Sequence, residues 1–329
     1  MDVDRLLLAI DGGQTATKSL IARADGTVLG GGLGGPSDHF HIEGGIEKNR
    51  RAIVGAIDDA LAVTGCPPEQ IVAVGLGLTG AGSRVPAIVE EMVRERASPR
   101  EITVVPDYVT NLAGASGGEP GVVLIAGGGA IGYGVTAQGD EAIAGGYGFL
   151  LGDEGSAFNI GLRAIAAAAR GADRRTESTA LQAVVADHFE VERVRQLPRI
   201  VYAAGFSRER ISRLAPKVVR AAEGGDAAAK AIIRIAGEEL ALTALGVIRQ
   251  LFAPGTVVDV YMTGGVFKAG ELLLEPFRTL LQAKWPGAEP REPRFPPAVG
   301  GLILAAQSVG ISVDAAWLDT VDATLDRTT

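Results

Sequence analysis

Three apolar segments of this chain each run straight into glycine: LLLAIDGG at 6–13, VVLIAGGGA at 122–130 and VVDVYMTGG at 257–265. Short apolar runs bounded by glycine have the signature of buried strands. Glycines at their ends let bare backbone N–H groups approach an anion. In the first segment the run Leu6 to Leu20 is a β-hairpin whose tip carries Asp11, Gly12, Gly13, Gln14, Thr15, Ala16 and Thr17. Such a tip can bind phosphate through its N–H groups and the Thr15 and Thr17 hydroxyls, with Asp11 holding a hydrated divalent cation. An ordinary Asp-Gly turn has the same residues. On the tip alone, the two readings are even.

Around the tips the chain alternates between element types. A turn at Asp25-Gly26 leads to a third strand, and a polar loop from Gly34 to Gly45 carries Ser37, Asp38, His39, Phe40 and His41. No third ligand follows the two histidines at a useful spacing, so they are not expected to hold a metal. Helical spacing over 45–65 precedes a buried strand at 71–78, the small-residue turn Thr79-Gly80-Ala81-Gly82, a helix over 85–97, a strand at 102–106 and then Asp107. That order implies an α/β fold with a mixed sheet and helices on its faces. Ligands gather at the carboxyl ends of parallel strands, where Asp107 stands; by itself a carboxylate there is also an ordinary helix cap.

A strand, glycine tip, strand, turn and strand recur from Val122, with the turn at Gly139-Asp140, which predicts an architectural duplication. The loop AGGYGFLLGDEGSAFNIG follows, and Ser156 is a good helix N-cap. Capping does not account for Asp153 and Glu154 set between glycines. Residues 175–252 read as mostly helical, a further helix begins near Glu271, PPAVGGLILAAQSVG closes the fold as a helix, and the tail beyond Asp319 is expected to fray.

At 329 residues the chain is comfortable as two domains, expected at 1–116 and 117–329 with the last helix able to return to the first. The net charge of −8, with no local basic patch, argues against nucleic acid or an acidic membrane as partner. Cys66 is the single cysteine, so one chain can form neither a disulfide nor a four-thiolate cluster. The start MDVDR does not resemble a signal peptide, and the apolar stretches stop short of about 18 to 20 residues, so a cytoplasmic location is expected.

The ordered motifs DGGQTATK, PDYVTNLAGA, LIAGGGA, GGYGFLLGDEGSAF, TGGVFKAGELL and PAVGGLILA resemble the sugar kinase, heat-shock protein and actin superfamily. Within it they are most similar to the N-acetylglucosamine kinases and the related BadF/BadG/BcrA/BcrD-type ATPases. The resemblance spans nearly the whole chain, and GGYGFLLGDEGSAF is its most specific part. It implies two ribonuclease-H-like (actin-like ATPase) domains with a cleft between them, a homodimer, ATP and Mg2+ as cofactors, and a small sugar as substrate. It also implies site roles. Gly12, Gly13, Thr15, Thr17 and Lys18, with Gly127, Gly128 and Gly129, would hold ATP phosphates, and Asp11 would support magnesium. Asp107 would be the base for the sugar 6-hydroxyl, and Asp38, Gly146, Tyr147 and Asp153 would grip the sugar. Gly264, Gly265 and Ala269 would lie along the adenosine.

Two departures fall in the site. The second tip reads GGGA followed by Ile131 where this family usually has GTGS and an asparagine, so Gly128, Ala130 and Ile131 offer no side-chain donor; the backbone N–H groups are expected to remain available for phosphate. Asp38 stands where these kinases commonly place asparagine, which would suit an amino group better than an acetamide. Besides an amino-sugar kinase, the resemblance allows an ATPase that activates a partner reductase through a shared iron–sulfur cluster, for which one cysteine per chain is too few. It also allows a non-catalytic sugar-binding regulator, against which both Asp107 and Asp153 speak.

Overall fold

A computed structural model describes residues 5–38, 40–80 and 85–325. His39 of the histidine pair, and Ala81 and Gly82 of the small-residue turn, lie outside the described residues. The chain forms two compact units, one of 1–120 with 293–329 and one of 121–292. Where the sequence suggested that one helix returns to the first unit, the returning segment carries two.

The first unit contains β1 (Leu6–Gly12), β2 (Thr17–Arg23), β3 (Val28–Gly34), α1 (Gly45–Thr64), β4 (Ile71–Leu78), α2 (Val85–Arg94), β5 (Glu101–Pro106) and α3 (Asp107–Ser116). Its sheet has the order β3-β2-β1-β4-β5. β2 is antiparallel to β1 and β3, whereas β4 and β5 run parallel to β1. Alternate side chains of β1 enter different cores, because successive strand residues point to opposite faces. Leu6, Leu8 and Ile10 pack with Ile53, Ile57, Leu76 and Val89, while Leu7 and Ala9 pack with Leu302, Ile303 and Trp317.

The second unit contains β6 (Gly121–Ala126), β7 (Ala130–Val135), β8 (Glu141–Gly145), α4 (Ala157–Ala172), α5 (Leu181–Phe189), α6 (Pro198–Val201), α7 (Arg208–Ser212), α8 (Ala215–Glu223), α9 (Ala227–Leu251), β9 (Val258–Thr263), α10 (Glu271–Lys284) and β10 (Ala288–Arg291). Its sheet, β10-β9-β6-β7-β8, repeats the first with the same directions: a meander of three strands, then two strands parallel to the first. The expected duplication is present, with five helices inserted between α4 and β9. The strand β10 was not foreseen, because its four residues include a proline and lie at the sheet edge, where proline is tolerated. Both units are ribonuclease-H-like α/β layers. No helix among the described residues is long and apolar enough to cross a membrane.

The chain then returns as α11 (Pro297–Ser308) and α12 (Ala315–Leu325). The expectation of a frayed tail after Asp319 is corrected as far as Leu325, the rest of it lying outside the described residues: α12 buries Trp317, Leu318 and Val321, and Trp317 Nε1 donates to Ala24 O at 3.2 Å. Close approach explains the glycines in β4 and α11. A Cβ on Gly75 would stand 2.1 Å from Gly301 O, and one on Gly300 would stand 1.9 Å from Thr110 O, so α11 seats against both the sheet and α3 only because these positions are bare.

Candidate functional site

The tip of the first hairpin closes through Gly13 N–H donating to Ala16 O at 3.1 Å, and leaves Gln14 and Thr15 exposed. Thr17 is placed otherwise than expected. Its side chain is fully buried and its hydroxyl donates to Gly35 O at 2.8 Å, so it tethers the 34–45 loop and is not a phosphate donor. Gly12 also serves packing, since a Cβ there would stand 2.4 Å from Leu78 Cδ2, whereas Gly13 has only Ala16 O, at 3.5 Å. Lys18 is the cross-strand partner of Asp11 and is exposed.

Strand register brings the acidic groups together. Gly12 pairs with Leu78 and Leu78 with Pro106, so the next residues along three parallel strands converge at one sheet edge. There Thr79 N–H donates to Gly12 O at 3.1 Å, and Thr79 Oγ1 donates to Asp107 Oδ2 at 2.7 Å. Asp107 begins α3 but does not cap it; the cap residue is Pro106. Burial pushes the Asp107 carboxyl above the usual carboxylate range, against the Thr79 hydroxyl and backbone N–H groups that favour its anion. Asp11 is pushed up to about 6, chiefly by burial and then by the negative charge of Asp107, with Lys18 opposing. Thr79 was read from sequence only as part of a turn; its position one residue past a parallel strand, beside the strand that leads into Asp107, was the available signal.

Two half-buried carboxylates, of which Asp107 raises the proton affinity of Asp11, are suited to share a cation. No group of three or more His, Cys, Asp or Glu that could hold a metal occurs among the described residues. Mg2+ fits this donor set, because it is commonly held by one or two carboxylates with substrate phosphates and water completing its shell.

In the second unit β9 lies beside β6, which puts the second and third tips next to each other: a Cβ on Gly264 would stand 2.3 Å from Ala126 O, at the start of the second tip. Gly264 has a φ of 103°, which favours glycine, and Gly265 to Ala269 form a short 3-10 turn. The expectation that the second tip keeps its backbone donors available is corrected in part. Gly127 N–H donates to Gly129 O at 2.9 Å, and Ala130 N–H donates to Asp153 Oδ1 at 3.1 Å. Gly128 is exposed.

The loop after β8 supplies Asp153. Gly146 N–H donates to Ala130 O at 3.1 Å, and a Cβ on Gly146 would meet Ile131 Cδ1 at 2.6 Å, so Ile131 lies against that glycine. Tyr147 is 75% exposed and Asp153 only 6%. Burial raises the Asp153 carboxyl, opposed by the Ala130 N–H and the Arg208 charge. Arg208 also stands over the Phe149 ring at 5.4 Å and was missed in sequence, since it arrives from a helix distant along the chain. Ser156 caps α4 as expected, accepting from Asn159 N–H at 3.1 Å.

Asp38 is buried in the 34–45 loop and ion-paired with Lys48. Asn49 fixes the same loop, accepting from Ser37 Oγ at 2.7 Å and donating to Asp38 O at 2.9 Å. Lys48 offsets the charge that had favoured an amine at Asp38. An open groove of about 580 Å³, lined by Arg163 and Arg170 of α4 and by Thr179 and Asp226 among others, contains none of the candidate residues.

Known proteins resemble this chain in sequence and fold. A protein described as N-acetylmuramic acid/N-acetylglucosamine kinase from Clostridium acetobutylicum is 31% identical over 92% of this chain and 98% of its own. The glucosamine kinase of Vibrio cholerae is 30% identical over 55% of this chain and 60% of its own. Among solved structures, a candidate N-acetylglucosamine kinase from Chromobacterium violaceum superposes with a TM-score of 0.74 at 30% identity, covering 92% of this chain and 99% of that one. The family model described as BadF/BadG/BcrA/BcrD ATPase matches residues 8–305, from within β1 to within α11, and so takes in all three glycine tips and every candidate residue. The chain belongs to the BadF/BadG/BcrA/BcrD ATPase family.

Proposed function

We propose that this protein is an ATP-dependent sugar kinase that phosphorylates the 6-hydroxyl of an amino sugar, N-acetylglucosamine or glucosamine, with Asp107 as general base. The observation that carries this reading is the Thr79–Asp107 hydrogen bond of 2.7 Å at the carboxyl end of β5, in a carboxylate pair with Asp11. The names of the relatives support the substrate class.

Each role follows from the surroundings of the residue. The Thr79 hydroxyl and backbone N–H groups orient the Asp107 carboxylate, which accepts the sugar hydroxyl proton. Burial raises the proton affinity of Asp107, which makes it a better base; general-base assistance of this kind contributes about 10² to 10⁴ in rate. A magnesium ion bound at Asp11 would neutralise phosphate charge and bring the carboxylate back to its ionised form. Thr15, the N–H groups of the first tip and Lys18 bind ATP phosphates. Gly127, Gly128, Gly129, Gly264, Gly265 and Ala269 present bare backbone or small side chains to the nucleotide. Asp153, with Gly146 and Tyr147, takes the sugar. Thr17 and Gly12 act behind the site, as packing and tether.

Because Lys48 compensates Asp38, a free amine has no advantage over an acetamide there. ADP release in a coupled assay, with N-acetylglucosamine, glucosamine, glucose or no sugar, tests the proposal. Release that depends on an amino sugar is expected; the same rate without sugar would make the protein an ATPase and not a sugar kinase.

A further inference from the structure

The second glycine tip is shaped to receive an anion, and an anion of the chain already lies on it. Ala130 N–H donates to Asp153 Oδ1 at 3.1 Å, across 23 residues of sequence. A Cβ on Gly129 would stand 2.9 Å from both Asp153 oxygens, so the carboxylate lies flat against the tip backbone. Asp153 reaches this position with a φ of 60°, in the left-handed region, where a residue with a Cβ persists only when its surroundings hold it. Glycines with positive φ at 145, 146, 148 and 155 flank it on both sides, so the loop can re-aim the side chain with few steric barriers.

We infer that Asp153 couples the two ligands of this protein: its carboxylate keeps a nucleotide phosphate off the second tip until a sugar hydroxyl draws it away. The inference rests on the kinase reading above. A phosphate and a carboxylate compete for the same N–H donor, and two anions held close in a partly buried place repel. A sugar hydroxyl offers Asp153 a donor in place of Ala130 N–H, so the exchange trades one hydrogen bond for another and costs little. The freed N–H, and the charge moved off the tip, then favour phosphate. Because such coupling is reciprocal, nucleotide also tightens sugar binding.

Titration calorimetry with ADP, on the wild type, Asp153→Asn and Asp153→Gly, tests the coupling. Asparagine keeps the shape, tolerates left-handed backbone and removes the charge; glycine removes the side chain and the backbone strain. Without sugar, both variants are expected to bind ADP about tenfold more tightly than the wild type, a change of ~1.4 kcal/mol. Adding N-acetylglucosamine is expected to tighten ADP binding about fivefold or more in the wild type and not in the variants. If the Gly variant does not fold, the Asn variant decides. Equal ADP affinity of wild type and Asp153→Asn, or no effect of sugar on the wild type, overturns the inference and leaves the kinase reading intact so long as sugar-dependent ADP release is seen. Failure of all three proteins to bind ADP overturns both.

Discussion

The two units share one strand order and differ in how an acid reaches the glycine tip. In the first unit the acid is part of the strand: Asp11 is the penultimate residue of β1, and its proton affinity is raised by burial and by the charge of Asp107, the residue after β5. In the second, the strand runs into glycines with no acid among them and the acid comes from a loop, Asp153, which settles on the tip's own N–H. The same backbone therefore does opposite things. On the proposed reading, the first tip would place negative charge beside a cation, while the second would offer an anion the backbone donor that Asp153 now holds. Duplication of a fold sets where ligands can bind; the residues grafted at each tip set which sign of charge is welcome.

Removing the charge of the first tip is the strongest way to break this contrast. Asp11→Asn is expected to lower magnesium affinity, read from the metal dependence of turnover, by about 10- to 100-fold. The same change should stabilise the metal-free fold. The Asp11 carboxyl ionises near 6 in the folded chain, against an ordinary value of 3.8, so the fold has full stability below the lower value and loses it as pH rises through about 6. At pH 7.5 in chelator, Asp11→Asn should gain about 3 kcal/mol, seen as a melting temperature several degrees higher, and the gain should vanish near pH 4. A variant that melts lower at pH 7.5 would show that Asp11 is not held under electrostatic stress.

Thr79→Val sharpens the comparison by leaving both acids in place and removing the hydroxyl between strands. Loss of a hydrogen bond to a charged group predicts about a tenfold fall in kcat. Because that hydroxyl favours the Asp107 anion, its loss should also move the acidic limb of the pH–rate profile to higher pH. An unshifted limb would separate Thr79 from the base. The smallest effects come from a methyl group at each tip. Gly13→Ala meets nothing nearer than 3.5 Å and should change stability by less than about 0.5 kcal/mol, whereas Gly129→Ala forces the Asp153 carboxylate to move and should cost about 1 to 3 kcal/mol in denaturant unfolding. Equal costs would mean that Asp153 does not lie on its tip.

Much of this was legible in the sequence because strands, tips and caps are local. The continuous apolar run of β1, the glycine tips, Ser156 as a cap and the order of elements through β5 all follow from residues close together in the chain. What was not legible depends on partners distant in sequence. Thr17 looks like a phosphate donor until Gly35 O is seen to accept its hydrogen bond. Asp38 looks like an amine binder until Lys48 is placed beside it. Arg208 carries no motif at all, and the four residues of β10 become a strand only because β9 offers an edge. The tail beyond Asp319 reads as polar, yet α12 is held by Trp317 seated against Ala24.

The central claim is that Asp107 takes the proton of the accepting hydroxyl. Steady-state turnover of Asp107→Asn with saturating Mg-ATP and amino sugar, alongside ADP binding to the same variant, tests it most directly. A fall in kcat of about 10² to 10⁴ with ADP affinity within about threefold of wild type is the predicted result. A variant that turns over within about threefold of wild type would contradict the account.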